Sequence, residues 1–208
     1  MAAIPFDLEC KLGMPRLDLP CGSDQGWTMR DGCPVLVVVG GLPATGKSTI
    51  SERLARLVRA PYLRVDRIEQ AIVAYSSLEH PVGVAGYAVA YALASEQLTL
   101  GLDVIVECVN PIALTRDAWA ATAAGAGAAI VEIEVTCVDR AEHRRRVVTR
   151  GTDVEGLEKP TWDDVLGREY HPWSRAHLVI DSSDTPPDEA AQRIAASMVA
   201  VRQERSSA

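Results

Sequence analysis

Residues 35–49 read VLVVVGGLPATGKST, an apolar and mostly β-branched run followed by a glycine-bounded loop. The run predicts a buried strand, Val35–Val39, and the residues after the loop predict an amphipathic helix, Lys47–Arg59. Between them, Gly41 is followed by four residues and then by Gly46-Lys47-Ser48, which is the spacing of a phosphate-binding loop. The alternative is an ordinary turn, but a strand before the loop and a helix after it favour phosphate binding.

Each part of this loop has a chemical role in binding phosphate. Backbone N–H groups that turn inward form an anion-binding nest, and glycine lets the backbone approach a phosphate closely. We expect Lys47 to reach the β- and γ-phosphates of a nucleotide and Ser48 to bind Mg²⁺ through its hydroxyl. The positive end of the following helix faces the same phosphates. The predicted nucleotide-binding residues are Gly41, Ala44, Thr45, Gly46, Lys47, Ser48 and Thr49.

The composition is typical of one globular domain preceded by an irregular segment. The chain has 208 residues, of which 48% are hydrophobic and 24% are charged. Residues 1–32 lack clear periodicity and are predicted to form an irregular arm, and residues 33–208 are predicted to form the domain. The arm has no secretion-signal layout, so we expect a cytoplasmic protein. It is either an extension, with translation starting at Met29, or a segment that packs on the domain or on a partner subunit.

Charge and residue spacing argue against several classes of protein. The net charge of −7 disfavours general affinity for nucleic acid. The longest uncharged stretch, Pro81 to Ser95, is too short to span a membrane and is predicted to be a buried helix. The five cysteines form no CxxC pair and the four histidines form no HxH or HxxxH cluster. We therefore predict no metal or disulfide site from them, and we expect Cys108 and Cys137 to be buried thiols.

From Pro34 onward, predicted strands alternate with predicted helices. This alternation predicts a parallel sheet with helices on both faces. The further strands are Tyr62–Val65, Asp103–Cys108, Ala129–Cys137 and Leu178–Ile180. The further helices are one from Arg67, Val82–Leu100, Leu114–Ala123, Arg140–Arg150, one from Trp162 and one from Asp188.

Two carboxylates are predicted near the ends of strands. Asp66 closes the second predicted strand, and the carboxyl ends of parallel strands gather at the ligand crevice. A carboxylate there can orient an acceptor hydroxyl and take its proton, although Asp66 and Glu69 also fit a helix capping box. The two roles are compatible. Glu107 ends the third strand, where it either holds Mg²⁺ beside Ser48 or only terminates the strand.

The helix predicted from Arg140 carries two candidate catalytic arginines. Arg146 and Arg150 are four residues apart and therefore share one helical face. Two guanidinium groups there can neutralise charge on a transferred phosphoryl group as part of a lid. The alternative is a solvated face with an ion pair between Glu142 and Arg146, and Asp139 with Glu142 also fits a capping box.

Three further features allow either a pocket or a structural interpretation. Tyr87 and Tyr91 either pack in the core or line an acceptor site. Asn110 either contacts the acceptor or forms the turn before Pro111. Residues 181–187 form either an adenine-side loop or a plain connection.

Together these motifs resemble the small phosphate-loop kinases known as AAA-domain predicted kinases. That group is similar to shikimate and gluconate kinases, chloramphenicol phosphotransferase, zeta toxins and the kinase part of polynucleotide kinases. The resemblance runs from about Pro34 to the end of the chain. It rests on residues 41–49, 64–66 and 106–110 and on the Arg146/Arg150 pair.

The resemblance implies an α/β fold of the P-loop NTPase type, with a five-stranded parallel sheet in the order 2-3-1-4-5. Helices cover both faces of that sheet, and a short helical lid is expected. The resemblance also implies a kinase domain over residues 33–208 that uses ATP and Mg²⁺ to phosphorylate a hydroxyl of a small molecule. Lys47 and Asp66 would be catalytic, with Asp66 as the acceptor-side base and Arg146 and Arg150 as lid arginines. The group generally has aspartate where Glu107 stands, so Glu107 departs from its pattern.

Other functions stay open beside this one. A regulatory or motor ATPase needs an acidic pair after a strand and an added helical subdomain, but Glu107 is followed by Cys108 and little chain remains. Phosphorylation of polynucleotide 5′-hydroxyl groups is disfavoured by the acidic charge. We expect the acceptor to be a sugar, a nucleoside, an amino acid or an antibiotic, and the protein to be a monomer or homodimer without a membrane partner.

Overall fold

The computed structural model describes residues 32–151 and 159–206. Nearly all of the predicted arm, including Met29, lies outside the described residues. So do residues 152–158, on which the expected lid partly falls. Within the described residues, no helix is both long and apolar enough to cross a membrane.

Strands and helices alternate along the described residues, as the sequence predicts. The strands are β1 (Val35–Gly40), β2 (Tyr62–Arg64), β3 (Val104–Glu107), β4 (Ala129–Thr136) and β5 (Leu178–Asp181). The helices are α1 (Lys47–Val58), α2 (Val65–Tyr75), α3 (Ala85–Thr99), α4 (Ala113–Gly125), α5 (Arg140–Thr149), α6 (Trp162–Gly167) and α7 (Pro187–Ser206).

The strands form one parallel sheet in the order β2-β3-β1-β4-β5, which confirms the expected topology. β1 lies at its centre and is buried throughout. In the register of the sheet, Glu107 at the end of β3 pairs with Val39 of β1 on one side and Arg64 of β2 on the other. The carboxyl ends of three neighbouring strands therefore meet at one edge.

Helices cover both faces of the sheet because side chains of a buried strand point alternately to each face. Ile50 of α1 and Ile194 of α7 belong to one apolar cluster. Leu98 of α3 and Trp119 of α4 belong to the cluster on the opposite face. Cys108 lies in this second cluster as a buried free thiol, and Cys137 is buried as well, as predicted.

The start of α2 differs from the prediction. The helix begins at Val65 rather than at Arg67, so Asp66 lies in its first turn and not at the end of β2. Val65 is 2% exposed within the second cluster, and this packing outweighs the strand preference of a β-branched residue. The capping box predicted for Asp66 and Glu69 is wrong, because Arg64 is the N-cap and no side chain caps this helix.

The ends of α5 follow the prediction only in part. Asp139 is the N-cap and accepts hydrogen bonds from two N–H groups of the first turn, at 2.9 and 3.1 Å. Glu142 turns toward Arg146, with 2.7 Å between its Oε1 and the Arg146 Nε. The helix ends at Thr149, so Arg150 is the C-cap residue with an extended backbone rather than part of the helix.

Candidate active site

The phosphate loop connects β1 to α1 at the carboxyl edge of the sheet. Gly41 has a φ of +140°, and a Cβ on it would lie 2.2 Å from the carbonyl oxygen of Val135, so the position requires glycine. Gly46 is the N-cap of α1 with a φ of 91°, and no side chain caps this helix. The N–H groups of its first turn are therefore available to bind an anion.

Lys47 is held against the loop rather than exposed to solvent. Its Nζ donates a hydrogen bond of 2.7 Å to the carbonyl oxygen of Leu42, and the residue is only 7% exposed. Burial lowers the pKa of the ammonium group from its usual range, and the charges of Glu107 and Asp66 act in the opposite direction. The ammonium has further donors to offer a phosphate.

Ser48 and Glu107, the predicted metal-binding pair, are in direct contact. The Ser48 hydroxyl donates a hydrogen bond of 2.6 Å to Oε1 of Glu107. The Tyr62 hydroxyl donates to Oε2, and the Nε of Arg64 lies 3.7 Å from the same oxygen. Both carboxylate oxygens therefore have partners, as a group that is 3% exposed requires. A fixed carboxylate beside a serine hydroxyl supplies the hard oxygen ligands that suit Mg²⁺.

Tyr62 is the residue that holds Glu107 from the edge strand. Burial raises the pKa of its phenol, and the carboxylate of Glu107 adds to that shift, so the hydroxyl keeps its proton and remains a donor. A protonated donor of this kind fixes the orientation of the carboxylate. A glutamate side chain has one more methylene group than aspartate and therefore one more torsion angle to restrain. The hydrogen bond from Tyr62 restrains the longer side chain of Glu107.

One cavity of about 700 Å³ contains the phosphate loop, Asp66 and the basic residues of α5. Asp66 is half-buried in the first turn of α2, where the helix dipole favours its negative charge. The cavity thus brings together the catalytic and metal-binding residues predicted from the sequence. Its charged lining side chains are Lys47, Arg64, Asp66, Glu69, Glu107, Arg145, Arg146, Arg150 and Arg168.

Arg146 connects α5 to the phosphate loop. Its guanidinium donates to the hydroxyl and to the carbonyl oxygen of Ser182, at 2.8 and 3.0 Å. The Ser182 hydroxyl in turn donates to the carbonyl oxygen of Thr45 at 2.6 Å. The Glu142–Arg146 ion pair is also present, and the arginines beside Glu142 lower the pKa of that carboxyl to about 2. Arg146 therefore both forms the surface ion pair and lines the cavity.

Arg150 lines the same cavity from the end of α5. Its positive charge acts on Lys47, in the direction that lowers the lysine pKa. Its backbone carbonyl accepts a hydrogen bond of 2.9 Å from Lys159. The two predicted arginines therefore lie at the same site, although only Arg146 belongs to the helix.

Two of the ambiguous features have structural roles. The Tyr87 hydroxyl accepts a hydrogen bond from the N–H of Asn110, and the Tyr91 hydroxyl donates to the Thr115 carbonyl. Asn110 is fully buried with a φ of 52° before Pro111, as the turn interpretation expects. None of the three is among the described residues that line the cavity.

The third ambiguous feature lies beside a second, smaller cavity. This cavity has a volume of about 380 Å³ and is lined by Gly46, Thr49, Ile50, Arg146 and residues 182–187. Because it adjoins the start of α1, its position favours the adenine-side interpretation of the loop after β5.

Sequence reasoning missed Tyr62 as part of the site, and it included Arg64 and Ser182 only within longer segments without giving either residue a role. Tyr62 and Arg64 are two residues apart on one strand, so they share a face, and Arg64 pairs in register with Glu107. A basic residue two positions after a tyrosine in an otherwise apolar strand was the available signal. Ser182 and Thr45 are 137 residues apart in the sequence, so no local sequence pattern indicates their contact.

The parallel sheet and the phosphate loop between its central strand and α1 define the fold of a P-loop NTPase. Residues 36–168 match the family model AAA_33, described as an AAA domain. This match covers more than half of the chain, so the protein belongs to that family. No curated protein matches the chain.

Solved structures of kinases share this fold at low sequence identity. A candidate kinase from Chloroflexus aurantiacus J-10-fl is 20% identical with a TM-score of 0.62, over 82% of this chain and 99% of that one. The APS kinase CysC of Mycobacterium tuberculosis, in complex with AMPPNP and APS, is 19% identical with a TM-score of 0.59, over 79% and 97%. A gluconokinase from Sinorhizobium meliloti 1021 is 18% identical with a TM-score of 0.57, over 82% and 95%. At these identities the likeness establishes the fold alone.

Proposed function

We propose that the protein transfers the γ-phosphoryl group of ATP to a hydroxyl of a small molecule. The observation that carries this proposal is that Lys47, the Ser48–Glu107 pair and Asp66 line one cavity. The Asp66 carboxylate is placed in the same cavity as the phosphate loop, where it can orient an acceptor hydroxyl and take its proton.

On the donor side, the first turn of α1 and Lys47 bind the phosphates of ATP. Ser48 and Glu107 are the residues that would hold Mg²⁺, with Tyr62 keeping the carboxylate in place. A metal held there would supply positive charge that neutralises the phosphates. Arg146 and Arg150 add positive charge where the transferred group develops negative charge.

On the acceptor side, Asp66 accepts a hydrogen bond from the reacting hydroxyl. The hydroxyl oxygen forms a new bond to the γ-phosphorus while the bond from that phosphorus to the β–γ bridging oxygen breaks. The proton of the hydroxyl moves to the Asp66 carboxylate, and ADP leaves with the bridging oxygen.

One further observation supports a kinase over a regulatory or motor ATPase. Proteins of the same fold carry the names gluconokinase and APS kinase.

The test is ATP turnover with and without pools of sugars, nucleosides, amino acids and antibiotics. We expect at least one pool to stimulate turnover in the wild-type protein. Lys47→Ala should lower turnover on the order of 10²- to 10³-fold, because it removes a donor to the transferred group. Arg56→Ala is the matched control, since Arg56 lies on the same helix with its side chain 80% exposed.

The proposal fails if basal hydrolysis is brisk and no pool stimulates it. Full activity of Lys47→Ala would overturn the nucleotide site itself.

A further inference from the structure

Glu69 lines the cavity next to the proposed base. It lies one turn after Asp66 on α2, and both side chains face the same space. Residues three apart on a helix are neighbours on its surface, with Cβ atoms about 5–6 Å apart. The two carboxyl groups are therefore placed to contact adjacent polar groups of one small molecule.

The path of the Glu69 side chain is set by Gly86 at the start of α3. A Cβ on Gly86 would lie 2.3 Å from the Glu69 Cγ and 2.8 Å from its Oε1. Glycine inside a helix costs about 0.5–1 kcal/mol relative to alanine. The close approach of the Glu69 side chain explains why glycine occupies position 86. The space left by Gly86 lets the Glu69 carboxyl group lie beside Asp66.

The Glu69 carboxyl has unused hydrogen-bonding capacity. Among the described residues it forms no hydrogen bond or ion pair, whereas both oxygens of Glu107 have partners. Burial and, next, the charge of Asp66 raise the pKa of Glu69 to about 7, while Arg168 acts in the opposite direction. At neutral pH this carboxyl can both donate and accept hydrogen bonds, which is also the capacity of a hydroxyl group.

The remaining lining is mixed in its chemistry. Lys47 and the five arginines Arg64, Arg145, Arg146, Arg150 and Arg168 line the cavity with the carboxyl groups of Asp66, Glu69 and Glu107, and His80 adds an imidazole ring. Groups of all these kinds form hydrogen bonds with hydroxyl groups.

We propose that Glu69 is a second acceptor-binding carboxyl. The reacting hydroxyl of the acceptor pairs with Asp66, and a neighbouring polar group of the same molecule pairs with Glu69. This inference rests on the proposed function and names a residue that binds the acceptor beside its reacting hydroxyl.

An acceptor for the test is found by measuring ADP release by the wild-type protein with a panel of hydroxyl compounds. The panel is glycerol, D-ribose, D-mannitol, myo-inositol, uridine, L-serine, ethanolamine and D-gluconate. We expect at least one of these compounds, or one in the wider pools, to stimulate ADP release. Stimulation by none of them overturns the proposed function and this inference with it. Where a compound stimulates, the proposed function stands and the role of Glu69 is decided separately.

The role of Glu69 is tested on the compound that gives the highest activity. Glu69→Ala should raise the acceptor KM about tenfold while the KM for ATP and the melting temperature stay unchanged. Glu69→Gln keeps a donor and an acceptor and should stay within about threefold of the wild-type KM. Glu96→Ala, an exposed site on α3, is the matched control.

An unchanged acceptor KM in Glu69→Ala overturns the role of Glu69. Equal rises in the KM for ATP and for the acceptor in both Glu69 variants would assign Glu69 a structural role instead and would overturn the proposal as well.

Discussion

On the donor side of the cavity, hydrogen bonds within the protein hold the polar groups in place. Lys47 bonds to the Leu42 carbonyl, and Ser48 bonds to Glu107. On the acceptor side, the carboxyl groups of Asp66 and Glu69 line the cavity without a hydrogen-bond partner among the described residues. Under the proposed function, the donor side is preorganised for the phosphates of ATP, and the carboxyl groups of the acceptor side form their hydrogen bonds with the substrate.

This difference predicts different consequences of substitution. Changes on the donor side should affect folding, nucleotide binding or metal binding even without an acceptor. Changes on the acceptor side should leave those properties intact and affect only the transfer.

The largest donor-side effect is expected from Gly41→Ala. The new Cβ would lie 2.2 Å from the backbone oxygen of Val135 at a φ of +140°, so the loop or β4 must shift. We expect the free energy of unfolding to fall by about 2–3 kcal/mol, measured by urea denaturation. Gly125→Ala is the control, because nothing lies within 4 Å of its Cβ position, and it should change stability by less than about 1 kcal/mol. Equal stability of the two variants would contradict the geometry of the loop.

A smaller effect is expected from Tyr62→Phe, which removes the hydroxyl that holds Glu107. Loss of a group that orients a metal ligand typically costs 10- to 100-fold in metal affinity, and we expect about tenfold weaker Mg²⁺ binding. The measurement is calorimetric titration of Mg²⁺ into the protein with a non-hydrolysable ATP analogue. Tyr91→Phe removes a hydroxyl that bonds to Thr115 outside the cavity and should leave Mg²⁺ affinity unchanged. If both variants bind Mg²⁺ like the wild type, Glu107 is not a metal-side residue.

The smallest effect is expected from Ser182→Ala. It breaks the link between Arg146 and the Thr45 carbonyl. Of the two hydrogen bonds lost, the one to the Thr45 carbonyl acts directly on the phosphate loop; a bond of this kind is worth about 1 kcal/mol, so nucleotide affinity should fall about fivefold. Fluorescence titration of a labelled nucleotide measures this change. Ser197→Ala on α7 removes a hydroxyl that bonds only within its own helix, and it should bind nucleotide normally. A wild-type affinity in Ser182→Ala would show that the link has no part in the donor site.

The same contrast explains what the sequence alone could predict. The phosphate loop is contiguous, and its function depends on local spacing and on backbone N–H groups. Residues 41–49, with the strand predicted before them and the helix predicted after them, were therefore enough to predict the loop. The sheet order followed from the resemblance that this motif supports. Asp66 was expected in the cavity and lies there, although its element was assigned incorrectly.

The remainder of the site depends on contacts between distant segments. Tyr62 and Glu107 are 45 residues apart, and their contact follows from the register of β2 on β3. Helix α2 begins at Val65 because that side chain is buried, and the local helix propensity of the sequence does not indicate this burial. Glu69 was read as a helix cap, because its place in the cavity depends on how α2 packs on Gly86 of α3.

The central claim is that Asp66 serves transfer to an acceptor and not the binding or hydrolysis of ATP. The most direct test follows γ-labelled ATP in Asp66→Asn and in the wild type, and measures the label transferred to the acceptor against the label released to water. We predict that transfer falls on the order of 10²- to 10⁴-fold while ATP binding and basal hydrolysis persist. An Asp66→Asn protein that transfers phosphoryl groups at the wild-type rate would contradict this account.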